Sequence, residues 1–199
     1  MMKVISERWK YFMLNEGMRH PEQLPDDVFV GIFVDDSGEY VKFQYVDEDG
    51  QPVQAEEKVF GTLEITKEYT GQCLNAWMIE WSSAAEGWGP LLYDIAMEWT
   101  TMRRSGLMSD RNAVSDKAYK VWSHYLSSRS DIVSKQLDNL ANDLTPQEID
   151  NCAQVASEKY SAKSGTEWHK AATSKIYMKK DAKVIRKLQS LGKLFFAPE

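Results

Sequence analysis

Apolar and polar residues change their period twice along the chain. Residues 3–16 place Ile5, Trp9, Phe12 and Met13 at helical spacing, which predicts a short helix before Pro21 and Pro25 break the chain. From there to residue 82 the period is that of strands. Val28–Val34 is a β-branched and aromatic run, and Tyr40–Val46 alternates Val41, Phe43 and Tyr45 with Tyr40, Lys42 and Gln44. Lys58–Thr66 and Ala76–Trp81 continue the pattern, and turn residues stand at Asp35–Gly38 and Asp47–Pro52. A four-strand meander over 28–34, 40–46, 58–66 and 76–82 follows.

After residue 89 the period becomes helical. Leu91, Leu92, Ile95, Ala96, Trp99 and Met102 form one apolar stripe, Pro90 stands at the helix start and Gly106 lies beyond its end, giving a helix over 90–104. A second helix over 113–126 carries Val114, Ala118, Val121, Trp122 and Tyr125 on one face. Thr145–Pro146–Gln147–Glu148 has the form of a capping box and predicts a helix start. A last helix over 182–191 turns Val184, Ile185, Leu188 and Leu191 inward and stops at Gly192, and Lys175–Lys179 also reads as a late strand. Strands precede helices, which predicts the α+β class. Residues 1–130 form its α+β domain, with a mainly antiparallel sheet flanked by helices, and 131–199 a helical C-terminal extension packed on it.

At 199 residues, 43% hydrophobic and 27% charged, the composition is that of a globular domain and excludes collagen and wholesale disorder. No apolar run approaches the ~20 residues of a membrane helix, and charges interrupt the N-terminal stretch, so neither a membrane partner nor a signal peptide is expected. The two cysteines, Cys73 and Cys152, form no CxxC, and His20, His124 and His169 are scattered. That pattern predicts no metal site, and two reduced, buried thiols in a cytoplasmic protein. Residues 1–100 carry 7 Lys+Arg against 19 Asp+Glu, and residues 101–199 carry 17 against 11. Ten basic residues fall within 159–193, spread among helix formers, so they read as a solvated face and argue against a nucleic-acid partner.

The most informative stretch is the junction at 76–101. A strand ends, Gly87-Trp88-Gly89 follows, and a helix begins at once. Backbone amides at a helix N-terminus receive anions, phosphates above all, and glycines let a pyrophosphate come close. The glycines are followed by no Lys-Ser/Thr, so this is no P-loop, and the full dinucleotide fingerprint is missing.

A meander, then Ile79 on the fourth strand, then Ala84-Ala85-Glu86-Gly87-Trp88-Gly89 with Leu92 three residues on, resembles the GNAT superfamily of N-acetyltransferases. The pyrophosphate loop of that family reads Arg/Gln-x-x-Gly-x-Gly/Ala. Gly106-Leu107 and Ser115-x-x-Ala118-x-x-x-Trp122 resemble its next strand and helix, so the likeness spans roughly 28–126. Three positions depart from the pattern. Ala84 replaces Arg or Gln, Glu86 puts a negative charge beside the anion site, and Trp122 stands where many members have a tyrosine acid. The resemblance implies acetyl-CoA as cofactor, held by Ile79 and by Ala84, Ala85, Glu86, Gly87, Trp88 and Gly89. It implies acyl transfer to an amine carried by a small molecule or a protein.

Such transfer needs a polarised carbonyl, a base for the amine and an acid for the leaving thiolate. Glu80 on the fourth strand is the first candidate base and Glu64 the second. Tyr125, one turn beyond Trp122, and Tyr119 are the candidate acids; His124 has no identifiable partner in the sequence. Trp77, Trp81, Trp88 and Trp99 are expected around the cleft, with Trp88, between two glycines, as a lid or partner contact. The alternative is a non-catalytic member of the same fold, a binding or structural module such as a bacteriophage accessory or virion protein.

Overall fold

The computed structural model describes residues 18–54, 57–67, 70–139, 145–154 and 168–195, so the helix expected over 3–16 lies outside the described residues. The meander forms as the alternation predicts, with β1 at Phe29–Val34, β2 at Tyr40–Val46, β3 at Gly61–Thr66 and β4 at Trp77–Ala84. Each strand runs antiparallel to the one before. Val41, Phe43 and Tyr45 of β2 are fully buried, whereas Lys42 and Gln44 are half-exposed. The turns close on aspartates: Asp35 Oδ1 accepts the amides of Glu39 and Tyr40 at 3.1 and 3.0 Å, and Asp47 Oδ1 those of Asp49 and Gln51 at 3.0 and 2.8 Å.

From β4 the chain enters helix α1, Gly89–Met102, and returns as β5, Leu107–Met108, parallel to β4. Helix α2, Asp116–Ser128, starts on Ser115, whose Oγ accepts the Ala118 amide at 3.1 Å. Strands then return: β6 at Ile132–Gln136, β7 at Asp138–Asn139, β8 at Asn151–Cys152 and β9 at Lys175–Lys179. Helix α3, Lys183–Ser190, and β10, Leu194–Phe195, complete the described chain. The eight-stranded sheet has the order β10-β1-β2-β3-β4-β5-β9-β6, and β7 and β8 form a separate parallel pair. The sheet is mainly antiparallel, with parallel pairs at β1/β10 and β4/β5.

The helices pack on one face. Trp77, Ile79, Leu107 and Tyr177 join the core that holds α1, α2 and α3. Their sequence neighbours Met78, Met108 and Ile176 turn to the opposite face and pack with Ala76, Leu137, Cys73 and Cys152. Helix α1 lies at the centre, and all ten residues from Leu91 to Thr100 are buried. The single stripe expected for it is therefore exceeded: α3 closes the side away from the sheet, and only Met102, of the stripe, is exposed.

Three expectations are corrected. Among the described residues the C-terminal extension is not mainly helical: those beyond 131 supply β6, β9 and β10 to the main sheet, and α3 as a helix. No helix starts at Thr145. Its amide donates to Asp138 Oδ2 at 2.7 Å and its hydroxyl to Asp150 Oδ2 at 2.9 Å, so the capping oxygen is engaged elsewhere, and the chain turns at Glu148–Asn151 into β8. Cys73 and Cys152 are not free thiols but form a disulfide across 79 positions. The β3–β4 connection and β8 meet on the second face of the sheet, where Leu74 N donates to Ile149 O at 2.7 Å and Ala153 N to Thr70 O at 3.0 Å. The expectation of a cytoplasmic protein leaned on two reduced thiols and loses that support. None of the described helices is long and apolar enough to cross a membrane.

Candidate functional site

The site expected at the end of β4 is built by an irregular strand. Against β3, Glu64 pairs with Trp81 but Ile65 pairs with Ile79, so Glu80 is the extra residue of a bulge. On its other side β4 pairs with β5 only through Trp77↔Leu107 and Met78↔Met108. From Ile79 onward that edge faces no strand among the described residues. The Tyr93 hydroxyl of α1 meets Ser82 Oγ there at 3.1 Å. Behind Tyr93 stand Trp122 and Tyr125 of α2, at ring distances of 5.9 and 6.4 Å, and Tyr177 of β9 lies 5.0 Å from Trp122.

The loop after β4 is anchored at both ends. Ala85 N donates to Phe60 O at 3.0 Å and Trp88 N to Ala85 O at 3.1 Å. Gly87 sits at φ +82°, a left-handed conformation that glycine adopts without strain. Arg19 N donates to the Gly87 carbonyl at 3.1 Å. The amides of Glu86, Gly87 and Gly89 take no partner among the described residues, so the N-terminus of α1 keeps three donors open to an anion. Gly61 is required on the facing strand: a Cβ there would lie 2.9 Å from Ala84 Cβ and 3.1 Å from Leu92 Cδ1.

The predicted residues fall into three groups. Ala84, Ala85, Glu86, Gly87 and Gly89 line the turn itself, with Glu86 exposed. Ile79 is buried in the core beneath it. Trp88 is no lid. It is 5% exposed, packs edge-on to Tyr45 at 5.7 Å, and its carbonyl accepts the Tyr45 hydroxyl at 2.8 Å. Of the other tryptophans expected around a cleft, Trp77 and Trp99 pack on each other at 5.1 Å within the core, and Trp81 is 58% exposed beside the bulge.

Glu80 is exposed at the bulge, and Glu64 ion-pairs with Lys42 at 3.4 Å on the same face of the sheet. Burial, a hydrogen bond to Glu64 and the nearby Glu80 charge all push the Tyr40 phenol upward. The structure therefore brings together Tyr40, Glu64 and Glu80, a grouping that cross-strand register creates and sequence order hides.

The α2 face shared by Trp122 and Tyr125 is turned into the core and not toward an open cleft. Trp122 is 1% and Tyr125 2% exposed, and burial drives the Tyr125 phenol well above its ordinary range. The Tyr125 hydroxyl is buried with no hydrogen-bond partner among the described residues. Tyr119 is half-buried. His124 is pushed down, first by burial and then by Arg129. Among the described residues no cluster of three or more His, Cys, Asp or Glu side chains is placed to hold a metal ion. Comparison of the chain with protein-family models and with curated proteins finds no match.

Proposed function

We propose that the chain is an acetyl-CoA-dependent N-acyltransferase of GNAT type. The observation that carries this reading is the course of β4. It closes a four-strand meander, parts from its parallel neighbour β5 after two residue pairs, and runs through the Gly87 turn into the N-terminus of α1. That is the place at which the resemblance puts a thioester beside a splayed strand and a pyrophosphate on a glycine loop. Three open amides, of Glu86, Gly87 and Gly89, fit an anion there, and the exposed Glu86 carboxylate weakens it.

In this reading a backbone N–H on the unpaired edge of β4 polarises the thioester carbonyl. Glu80, exposed at the bulge, takes the proton of the amine, with Glu64 behind it. Tyr125 is closed off from that exchange, which leaves Tyr119 or water to protonate the thiolate.

Calorimetry with acetyl-CoA tests the reading. The wild type is expected to bind, and Gly87→Val, which forces a β-branched residue to φ +82°, is expected to lose binding while its circular dichroism stays native. A folded Gly87→Val variant with wild-type affinity, or a wild type that does not bind, overturns it.

A second reading, a binding module of the same fold without turnover, is favoured by the burial of Trp122 and Tyr125. Turnover with a panel of primary amines separates the two, because a module binds acetyl-CoA and consumes none.

A further inference from the structure

We propose that the chain forms a two-fold dimer in which β6 pairs with β6 of a second copy. Strand β6, Ile132–Gln136, ends the eight-stranded sheet on one side, where β9 is its partner among the described residues. The other end of the sheet is β10, whose two residues are too few to hold another strand.

The hydrogen-bond phase fixes which residues of β6 face outward. Leu137 N donates to Ser174 O at 2.9 Å and Lys180 N to Asp131 O at 3.0 Å, so positions 131 and 137 bond toward β9. The register with β9 is unbroken from Ile132↔Lys179 to Gln136↔Lys175. Bonded and non-bonded residues alternate along an antiparallel pair. Val133 and Lys135 therefore bond to β9, and Ile132, Ser134 and Gln136 turn their amides and carbonyls away from it. One of those outward groups has a backbone partner among the described residues: Ile132 N donates to Arg129 O, at 3.4 Å. Val133, Ser134 and Lys135 are exposed. A regular strand without proline, glycine or bulge leaves such an edge open to another strand.

The strand that matches this edge is its own copy. Antiparallel pairing centred on Ser134 sets Ser134 opposite Ser134, Ile132 opposite Gln136 and Val133 opposite Lys135. Every outward residue is then bonded. The two serines exchange their amide bonds, and each Gln136 amide meets an Ile132 carbonyl of the second copy. Lys135 selects this register. Pairing centred on residue 135 would oppose Lys135 to Lys135, which is repulsive. Pairing centred on residue 133 would carry Gln136 past the end of the facing strand. Centred on Ser134, the Lys135 stem instead covers Val133, which is 41% exposed.

The two-fold axis stands normal to the sheet, so both copies of α2, which packs against β6, flank the joint on one side. Pairing of five residues falls below the ~1,200–2,000 Å2 of a stable interface, so the dimer is weak and depends on concentration. Strands β5 and β9 separate β6 from β4, so each copy keeps its β4 site open.

Sedimentation equilibrium of the full chain tests this. The wild type is expected to dimerise with a Kd on the order of 10–100 μM. Ser134→Pro removes an amide that β9 does not use, at a place where an edge strand tolerates proline. It is expected to keep its circular dichroism and to weaken the dimer by about tenfold or more. Val133→Lys opposes like charges at Lys135 and is expected to weaken the dimer about three- to tenfold, whereas Val133→Glu is expected to tighten it by a similar factor. If Ser134→Pro fails to fold, the Val133 pair decides, since that side chain is exposed. A wild type still monomeric at about 1 mM overturns the proposal. So does a folded Ser134→Pro variant that dimerises like the wild type, or a pair of Val133 variants that shift the Kd in the same direction.

Discussion

Tyr125 shows how far a single residue can be read before its surroundings are known. Helical spacing places it on one face with Trp122, and the structure keeps them together at 5.9 Å. What spacing does not reveal is that this face is the one covered by Tyr93 and Tyr177. A buried hydroxyl without a partner costs about 1–3 kcal/mol. Tyr125→Phe is therefore expected to leave stability unchanged or raise it by up to about 1–3 kcal/mol in urea unfolding and, under the proposed acyl transfer, to leave turnover unaffected. A clear loss of stability would mean that the hydroxyl has a partner, and a fall in turnover would return Tyr125 to the chemistry. Trp88 carries the same lesson. Flanked by glycines it reads as a surface residue, yet Tyr45 of β2, 43 positions away, supplies both a ring to pack on and a hydroxyl donor. Gly61 is the opposite case, since its need is set by how closely Ala84 and Leu92 approach. Gly61→Ala is expected to cost about 1–3 kcal/mol, the usual range for overpacking, again read from a urea midpoint.

Elements are legible where their own residues decide them. The four strands of the meander fall within a few residues of the expected spans, because alternation and aspartate-closed turns are local chemistry. Ser115 caps α2 in the same local way, and Ser115→Ala is expected to lower stability by about 1 kcal/mol. Thr145 carries the same signal and starts no helix, because Asp138 and Asp150 claim its amide and hydroxyl from elsewhere in the fold. Helix α3 is capped from a distance. Glu98 of α1, 86 positions before Val184, takes two amides of the first turn of α3. Burial raises the Glu98 carboxyl while those two amides pull the other way. Glu98→Ala leaves both donors unpaired at a buried junction and should cost more than Ser115→Ala, on the order of 3 kcal/mol. Equal losses in the two variants would show that the α3 cap contributes no more than a surface one. No pattern within 182–191 announces this, since the capping residue sits on another helix.

At the scale of the molecule, the order β5-β9-β6 and the return of β10 to β1 could not be read from any window of the chain. They depend on strands contributed from beyond residue 131: Lys175–Lys179 is legible as a strand and forms β9, but its partners are not, and a basic, helix-forming composition hides β6 and β10. Charge and cross-linking hold that distal half in place. Asp131 joins the turn before β6 to Lys179 of β9 and to Arg129, which also reaches α1 through Asp94. The Arg129 hydrogen bond holds the Asp131 carboxyl well below its usual range, against the effect of burial and with help from Lys179. A carboxyl whose folded pKa is depressed contributes stability that is full above its unfolded value of about 3.9 and is lost as pH falls toward the folded one. Asp131→Asn should therefore lower the urea midpoint at pH 7 and leave it little changed at the acid end, where the wild type has lost the same contribution. A parallel drop at every pH would mean that packing and not charge is at stake. The cysteines make the larger claim. A disulfide closing 79 positions restricts the unfolded chain, which is worth about 2–5 kcal/mol for a loop of that size. Thiol titration after denaturation without reductant should find none free. Reduction should lower the thermal midpoint and release first the segment from Thr70 to Asn75 and its partner around β8, since their contacts across the second face are few. Hydrogen exchange read by peptide mass would locate that release. If protection is lost evenly across β4 and α1 instead, the cross-link stabilises the whole sheet as one cooperative unit and not its second face alone.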